Sequence, residues 1–200
     1  MTKPPALRGA SSADCDQVVE VFLACWRLSY VQVLPAQLIQ SMTAERARAL
    51  WMRALSAEKV DDEVIVAAGA ETGTVAGVVR YGLPDSGHGI IWSLYVAPSA
   101  QGSGIGSRLL TAAESALRTR GAESASLWVF TANTPSMDFY ASHGWLRGME
   151  GPSRSQEFGE PVQRLAKSLV GIPGTRTSVG SGAAPELPTG LLAALAEVVP

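Results

Sequence analysis

The residues best suited to chemistry lie in a glycine-rich stretch between a predicted strand and a predicted helix. This stretch, SLYVAPSAQGSGIG, spans residues 93–106 and contains Gly102, Gly104 and Gly106. Glycines leave backbone N–H groups unshielded by side chains, and the N-terminus of the following helix adds a partial positive charge. The stretch therefore predicts an anion-binding loop that could hold a pyrophosphate without basic side chains.

The spacing of these glycines excludes two familiar phosphate-binding motifs. The dinucleotide motif G-x-G-x-x-G would need a glycine at position 107 or 109, where Ser107 and Leu109 stand. The P-loop needs a lysine directly after its last glycine, and no lysine occurs between Lys59 and Lys167. The loop is therefore predicted to bind a phosphate ligand of another class.

Hydrophobic spacing predicts the elements before the loop. Apolar residues three and four positions apart predict helices over Ala13–Tyr30 and Ala44–Leu55, so that two helices precede any strong strand. The β-branched runs Val64–Ala70 and Val75–Tyr81 are separated by a short turn that contains Gly73. They predict an antiparallel hairpin.

The elements around and after the loop predict a mixed sheet. Ile90–Val96 is almost wholly apolar, as expected of a central strand covered on both faces, and a helix with buried positions Ile105, Leu109, Ala113 and Leu117 follows the loop. A strand at Ser126–Phe130 should run parallel to Ile90–Val96 because a helix connects the two. The remaining predicted elements are a helix from Thr134 to Gly144 and a last pair of strands at Trp145–Met149 and Val162–Leu165. The predicted fold class is α/β, with a central mixed sheet flanked by helices.

Composition limits the classes of function. The 200 residues are 46% hydrophobic and 17% charged, which is sufficient for a core, and the net charge of −2 with scattered basic residues argues against nucleic acid as a ligand. Cys15 and Cys25 are too few for a zinc site or a disulfide framework, and they suit a reducing cytoplasm. No segment predicts a membrane span. Residues 168–200, rich in Gly and Pro, predict a flexible tail after a domain at 1–167.

Two motifs at a characteristic distance identify a resemblance. Gln101, Gly104 and Gly106 fit the pattern Q/R-x-x-G-x-G/A, directly after a strand that ends in LYVAP. The stretch NTPSMDFYASHGW follows at 133–145. Together they resemble motifs A and B of the GCN5-related N-acetyltransferase (GNAT) superfamily, and the resemblance covers residues 7–165.

The resemblance implies a splayed sheet that holds acetyl-coenzyme A between the strands at 90–96 and 126–130. Backbone groups of Leu94 and Val96 would bind the pantetheine, the glycine loop would wrap the pyrophosphate, and Asn133 would contact the pantetheine from the other side. No metal is implied. The residues expected to bind the cofactor are Leu94, Val96, Gln101, Gly102, Ser103, Gly104, Ile105, Gly106, Ser107 and Asn133.

Acetyl transfer to an amine requires a neutral amine, a place for the oxyanion and an acid for the leaving thiolate. The resemblance assigns the acid to Tyr140, and a tyrosine near pKa 10 lies close enough to a thiol near 8.5 for proton transfer. A strand N–H near Leu94 or Val96 would bind the oxyanion.

The general base has no clear candidate. Many relatives carry a glutamate on the central strand, but this strand contains no carboxylate. His88, in a loop expected to be flexible at Asp85–Gly89, is more typical of a solvated histidine, and His143 is typical of a residue that ends a helix. A water chain or a residue elsewhere would have to serve.

The acceptor also stays open at this level. Trp26 and Tyr30, together with Trp51, could line an acceptor pocket or belong only to the core. Protein N-termini, antibiotic amines, polyamines and amino acids all fit the motifs, and a homodimer is compatible with them. The competing hypotheses are a non-catalytic acyl-coenzyme A binding or sensing module, and a peptide-binding domain whose glycine loop is only a turn.

Overall fold

The computed structural model describes residues 4–56, 62–155 and 159–170, and these form one mixed sheet with helices on both faces. The strands are β1 (Ala6–Gly9), β2 (Asp62–Ala68), β3 (Val75–Asp85), β4 (His88–Val96), β5 (Ser124–Phe130), β6 (Leu146–Arg147), β7 (Ser153–Arg154) and β8 (Pro161–Ser168). The helices are α1 (Cys15–Leu28), α2 (Ala36–Ser41), α3 (Ala44–Leu55), α4 (Ile105–Thr119) and α5 (Thr134–Ser142). Along the sheet the order is β1-β2-β3-β4-β5-β8-β6, and β7 pairs with β8.

The centre of the sheet is open on one side. β4 and β5 are its parallel pair, and they are hydrogen-bonded only between His88–Ile90 and Ser124–Ser126. Beyond Ile90 the two strands diverge, because each follows its antiparallel neighbour, β3 on one side and β8 on the other. The divergence leaves a wedge between the second half of β4 and the end of β5.

Each face of the sheet has its own core. On one face, α1 and α3 pack against β2 side chains such as Val64 and Val66. On the other, α4 and α5 pack against Ala67, Val79 and neighbouring side chains. Val66 and Ala67 are both fully buried on opposite faces, as the two-residue period of a strand requires.

Most of the predicted elements are confirmed. α3 has the predicted bounds, β2 and β3 form the predicted hairpin with Gly73 at φ +67°, and β5 runs parallel to β4. All four predicted core positions of α4, from Ile105 to Leu117, are buried. Hydrophobic period and turn chemistry are therefore sufficient to find the large elements.

The two predicted helices do precede the first long strand, β2, but two short elements near them were not predicted. β1 precedes α1, and the short helix α2 stands between α1 and α3. β1 has four mostly exposed residues and α2 buries none of its six, so neither carries an apolar pattern. In addition α1 ends at Leu28, which leaves Tyr30 in the following turn.

The expected flexible loop around His88 is also wrong, because His88 is the first residue of β4. Its Nδ1 lies 2.9 Å from Ser124 Oγ and its Nε2 lies 2.9 Å from Ser126 Oγ, both on β5. Burial beside the cation of Arg164 lowers the pKa of His88. β4 is covered on both faces only in its first half, since residues 92–96 border the wedge and are partly exposed.

The last strand pair is confirmed between β6 and β8, although β6 has only two residues and β7 stands in the loop expected to join them. β8 ends at Ser168 and Leu169 is buried, so ordered packing reaches past residue 167. Residues 171–200 of the tail predicted at 168–200 lie outside the described residues. Within the described ranges, no helix has the length and apolar character needed to cross a membrane.

Candidate active site

The backbone N–H and C=O groups of two β4 residues face the wedge. Ala97 N–H donates to Ala76 O on the β3 side at 2.9 Å, and Tyr95 pairs with Val78. In an antiparallel ladder alternate residues point away from the partner strand, so the backbone groups of Leu94 and Val96 face the opening. Val96 O there accepts hydrogen bonds from Gln101 Nε2 at 3.1 Å and from Cys25 Sγ at 3.2 Å.

The glycine loop has the conformation that an anion-binding turn requires. Gly102 and Gly104 adopt φ +76° and +81°, a region that L side chains rarely enter. Gly104 is the N-cap of α4, so the N–H groups of Ile105, Gly106 and Ser107 form the first turn and have no intrahelical acceptor. These three amides and the helix dipole point toward the same end of the wedge.

A groove of about 850 Å³ connects the wedge to this loop. Among its lining residues are nine of the ten predicted cofactor contacts: Leu94, Val96, Gln101, Gly102, Gly104, Ile105, Gly106, Ser107 and Asn133. Ser103 does not line it, because its hydroxyl turns back to donate to Ala100 O. Ile105 contributes backbone only, since its side chain is in the core, and Asn133 Oδ1 accepts from Ser136 N as the cap of α5.

A second cavity of about 130 Å³ opens beside the groove, between α1, α3 and the diverging strands. Both predicted acceptor residues line it: Trp26, on α1, is buried, and the ring of Tyr30 stacks on it at 5.7 Å. Trp51, on α3, lines the cavity and also belongs to the core. The groove and the cavity share Tyr30, Leu94, Tyr95, Asn133, Ser136 and Tyr140.

Tyr140 lies where the two spaces meet. It is on α5, 8% exposed, and its ring packs against Phe139 and Trp145. Burial, with a smaller contribution from Tyr30, raises the pKa of Tyr140 above its usual value. The hydroxyl therefore stays protonated, but its pKa moves away from that of a thiol and the simple match expected from the sequence is lost.

Within the described part of the chain, neither space is lined by an aspartate, a glutamate or a histidine. His88 is at the closed end of the wedge and contacts the two β5 serines. His143 ends α5, where its Nδ1 is 2.7 Å from Phe139 O. The structure thus brings neither histidine to Tyr140.

Several residues of the site were not predicted from the sequence. Phe22, Tyr95, Trp128 and Phe130 add aromatic rings to the cavity, and Arg80 adds a buried cation. Cys25 also lies along the groove, and burial raises the pKa of its thiol to about 11. In the sequence, only the two-residue spacing of Trp128 and Phe130 on β5 could have predicted these rings, because it places both on one face of the strand.

The sequence of residues 18–145 matches the model of the Acetyltransferase (GNAT) family. The solved structure of PaiA N-acetyltransferase from Thermoplasma acidophilum in complex with coenzyme A is similar, with a TM-score of 0.67 and 19% identity over 80% of this chain and 96% of that chain. The structure of YncA from Salmonella typhimurium with its cofactor acetyl-CoA is also similar, with a TM-score of 0.63 and 20% identity over 88% of this chain and 100% of that chain.

Ribosomal-protein-alanine N-acetyltransferase from Brucella melitensis gives a TM-score of 0.62 and 23% identity, over 82% of this chain and 99% of that chain. No curated protein matches the chain by sequence. Identities this low show a shared fold, and that fold is the one expected from the two motifs.

Proposed function

Because this chain belongs to the Acetyltransferase (GNAT) family, we propose that it transfers an acetyl group from acetyl-coenzyme A to a primary amine by direct attack in a ternary complex. The observation that carries the proposal is the junction at Tyr140, where a groove ending at the glycine loop meets a separate aromatic cavity. A donor and an acceptor could occupy the two spaces together, with their reacting atoms at the junction.

The groove suits an extended donor that ends in a diphosphate. The first-turn amides of α4 would bind the pyrophosphate, and the backbone groups of Leu94 and Val96 would pair with the pantetheine as a missing strand would. These contacts would place the thioester beside Tyr140. PaiA with coenzyme A and YncA with acetyl-CoA have this fold, which supports the choice of donor.

The reaction would then proceed in one attack. The neutral amine adds to the thioester carbonyl, and a backbone N–H of Leu94 or Val96 donates to the oxyanion. The C–S bond breaks, the thiolate takes the proton of Tyr140, and the surplus proton on nitrogen passes to water, from which Tyr140 is reprotonated. Water has this role because no carboxylate lines either space in the described residues.

The missing carboxylate also favours a second function, an acyl-coenzyme A binding module without catalysis. Calorimetric titration with acetyl-coenzyme A, with NAD and ATP as controls, tests what the two functions share. Selective binding supports both, and release of free thiol on addition of amines supports only the transferase. An absence of binding in a folded sample would exclude both.

Tyr140→Phe tests the assigned acid. Acetyl-coenzyme A affinity should stay within about threefold, whereas kcat should fall about 100-fold or more, the usual contribution of a general acid. Tyr81→Phe is the matched control, because Tyr81 is also buried but donates to Glu63 Oε2 away from both spaces. If both variants turn over at the wild-type rate, Tyr140 is not the acid.

A further inference from the structure

Among the described residues that line the aromatic cavity, one is a buried cation. Arg80, on β3, lines the cavity and is only 1% exposed. Its Nη2 is 2.5 Å from Asp62 Oδ2, and the Trp92 ring lies 5.8 Å from its guanidinium carbon. A guanidinium carries five N–H donors, so one carboxylate leaves part of its capacity unused.

Among the described residues around this part of the cavity, some buried hydrogen-bond donors have no acceptor. Asp62 already accepts from Arg80 and, at 2.8 Å, from Trp92 Nε1. Among the described residues, Arg80 Nε and Trp51 Nε1 are buried and have no acceptor. Buried donors without a partner are costly, and a ligand with anionic oxygens would satisfy those that it can reach.

The position of Arg80 along the sheet sets the length of such a ligand. Arg80 pairs with Ser93, one residue before Leu94 and two before Tyr95, which border the junction. A strand rises about 3.3 Å per residue, so the Cα atom of Arg80 is about 3–7 Å along the sheet from the Cα atoms of the two junction residues. Because Arg80 and Tyr140 also line the same cavity, one compact ligand that carries an amine and an anionic group can contact both.

From this geometry we infer that the acceptor is a small apolar amino acid, whose carboxylate binds Arg80 while its amine lies beside Tyr140. This inference rests on the proposed function. Most of the other side chains that line the cavity are aromatic or aliphatic and would contact an apolar side chain. A volume of about 130 Å³ is close to that of engineered cavities of about 150 Å³ that hold benzene, so the side chain must be small.

The same features disfavour the other acceptors. A polyamine would bring a second positive charge to Arg80, and among the described residues no carboxylate lines the cavity to balance it. A protein N-terminus has no free carboxylate at this distance from its amine. An amino acid meets both the charge and the length requirement.

The test compares acceptors that differ only in the carboxylate. Alanine, valine and leucine are each assayed beside the corresponding amino-acid amide and the decarboxylated amine, with full-length protein and thiol release as the readout. For at least one of the three, the carboxylate form should have kcat/KM about 10- to 100-fold above that of its amide. At the same pH, a larger fraction of the amide than of the amino acid has a neutral amine. This difference alone would make the amide react faster, so it cannot produce the expected result.

A variant then assigns the preference to Arg80. The double variant Arg80→Gln with Asp62→Asn removes both charges and avoids a lone buried carboxylate; its preference for the carboxylate should fall below about threefold, mainly through KM. Arg164→Gln is the matched control, because Arg164 also pairs with an acid, Glu150, and lies 5.8 Å from a Trp ring, but does not line the cavity. It should keep the preference.

The outcomes separate the two claims. Amides or simple amines that react as fast as the amino acids would overturn the amino-acid inference and leave the transferase intact. Acetyl-coenzyme A binding without reaction of any of the nine compounds would overturn it as well. No binding in a folded sample would overturn the proposed function and the inference together. If the double variant melts like wild type and still prefers the carboxylate over the amide, Arg80 does not cause this preference.

Discussion

Gly104 and Gly106 belong to one loop, but the structure makes different demands on each. Gly104 has φ +81°, whereas Gly106 lies in the first turn of α4 with an ordinary helical backbone. A Cβ at position 104 would meet no atom within 4 Å, and one at position 106 would contact Phe139 at 3.5 Å and Val96 at 3.6 Å. The backbone conformation, rather than crowding in the free protein, therefore requires glycine at 104.

Substitution of each glycine by alanine should change the stability of the protein in opposite directions. Gly104→Ala should lower the free energy of unfolding by about 1 kcal/mol, because the left-handed region disfavours a Cβ. Gly106→Ala should raise it by about 0.4–1 kcal/mol, because the unfolded chain loses freedom and the native site accepts the methyl group. Urea unfolding measures both changes, and equal changes in the two variants would contradict this account.

At the scale of elements, an ion pair joins the first strand to the first helix. Arg8, on β1, donates to both oxygens of Asp14 at 2.7 and 2.8 Å, and Ser11 N donates to the same carboxylate. Asp14 is the N-cap of α1. The Arg8 hydrogen bonds lower the pKa of Asp14 to about 2.

This ion pair predicts a pH dependence of stability. A carboxyl whose pKa is lower in the folded than in the unfolded protein stabilises the fold above its unfolded pKa of about 3.9, and this stabilisation is lost as the pH falls toward about 2. Because Arg8 is half exposed, Asp14→Asn should cost about 1 kcal/mol at pH 7. The variant should also show a smaller loss of stability between pH 4 and pH 2.

Urea midpoints at pH 7, 4, 3 and 2 measure this dependence. Asp16→Asn is the control, because the Asp16 pair with Arg48 is largely exposed and should contribute less than about 0.5 kcal/mol. A wild-type stability that does not depend on pH in this range would contradict the role of Asp14.

The alternating backbone of β4 gives a second prediction at this scale. In the free protein the amides of Leu94 and Val96 should exchange with deuterium faster than the amide of Ala97, which donates to Ala76 O. Saturating acetyl-coenzyme A should slow the first two at least tenfold, because the pantetheine would pair with the wedge, and should leave Ala97 unchanged. Exchange measured by NMR that is unaffected by the cofactor would contradict the proposed mode of binding.

The residues of α4 and of the cavity show how far the sequence can predict this protein. The glycine loop and α4 could be predicted because their signals are local, namely left-handed glycines and apolar residues four positions apart. The environment of Arg80 could not, because Asp62 and Trp92 meet it only through the registers of two strand pairs. His88 shows the same limit, since its two serines come from the strand beyond α4.

At the scale of the whole molecule, the site results from one departure from a regular sheet. β4 and β5 pair for three residues and then separate, and helices from both faces close the space that this leaves. α1 and α3 supply the aromatic cavity, while α4 and α5 supply the loop and Tyr140. The two spaces meet at side chains of both cores, Tyr30 and Tyr95 from one and Leu94 and Tyr140 from the other, so a change in either core can alter both spaces.

The extent of this folded unit gives the last prediction. We propose that the domain ends just after β8, because Leu169 is 3% exposed and its N–H donates to Glu123 O at 2.8 Å. A chain cut after Val170 should melt within about 2 °C of the full protein and bind acetyl-coenzyme A with equal affinity, since every contact described here is retained. A cut after Lys167 removes buried Leu169 and should cost about 2 kcal/mol or more. If the cut after Val170 lowers turnover while leaving cofactor binding unchanged, residues 171–200 contribute to the acceptor side of the reaction.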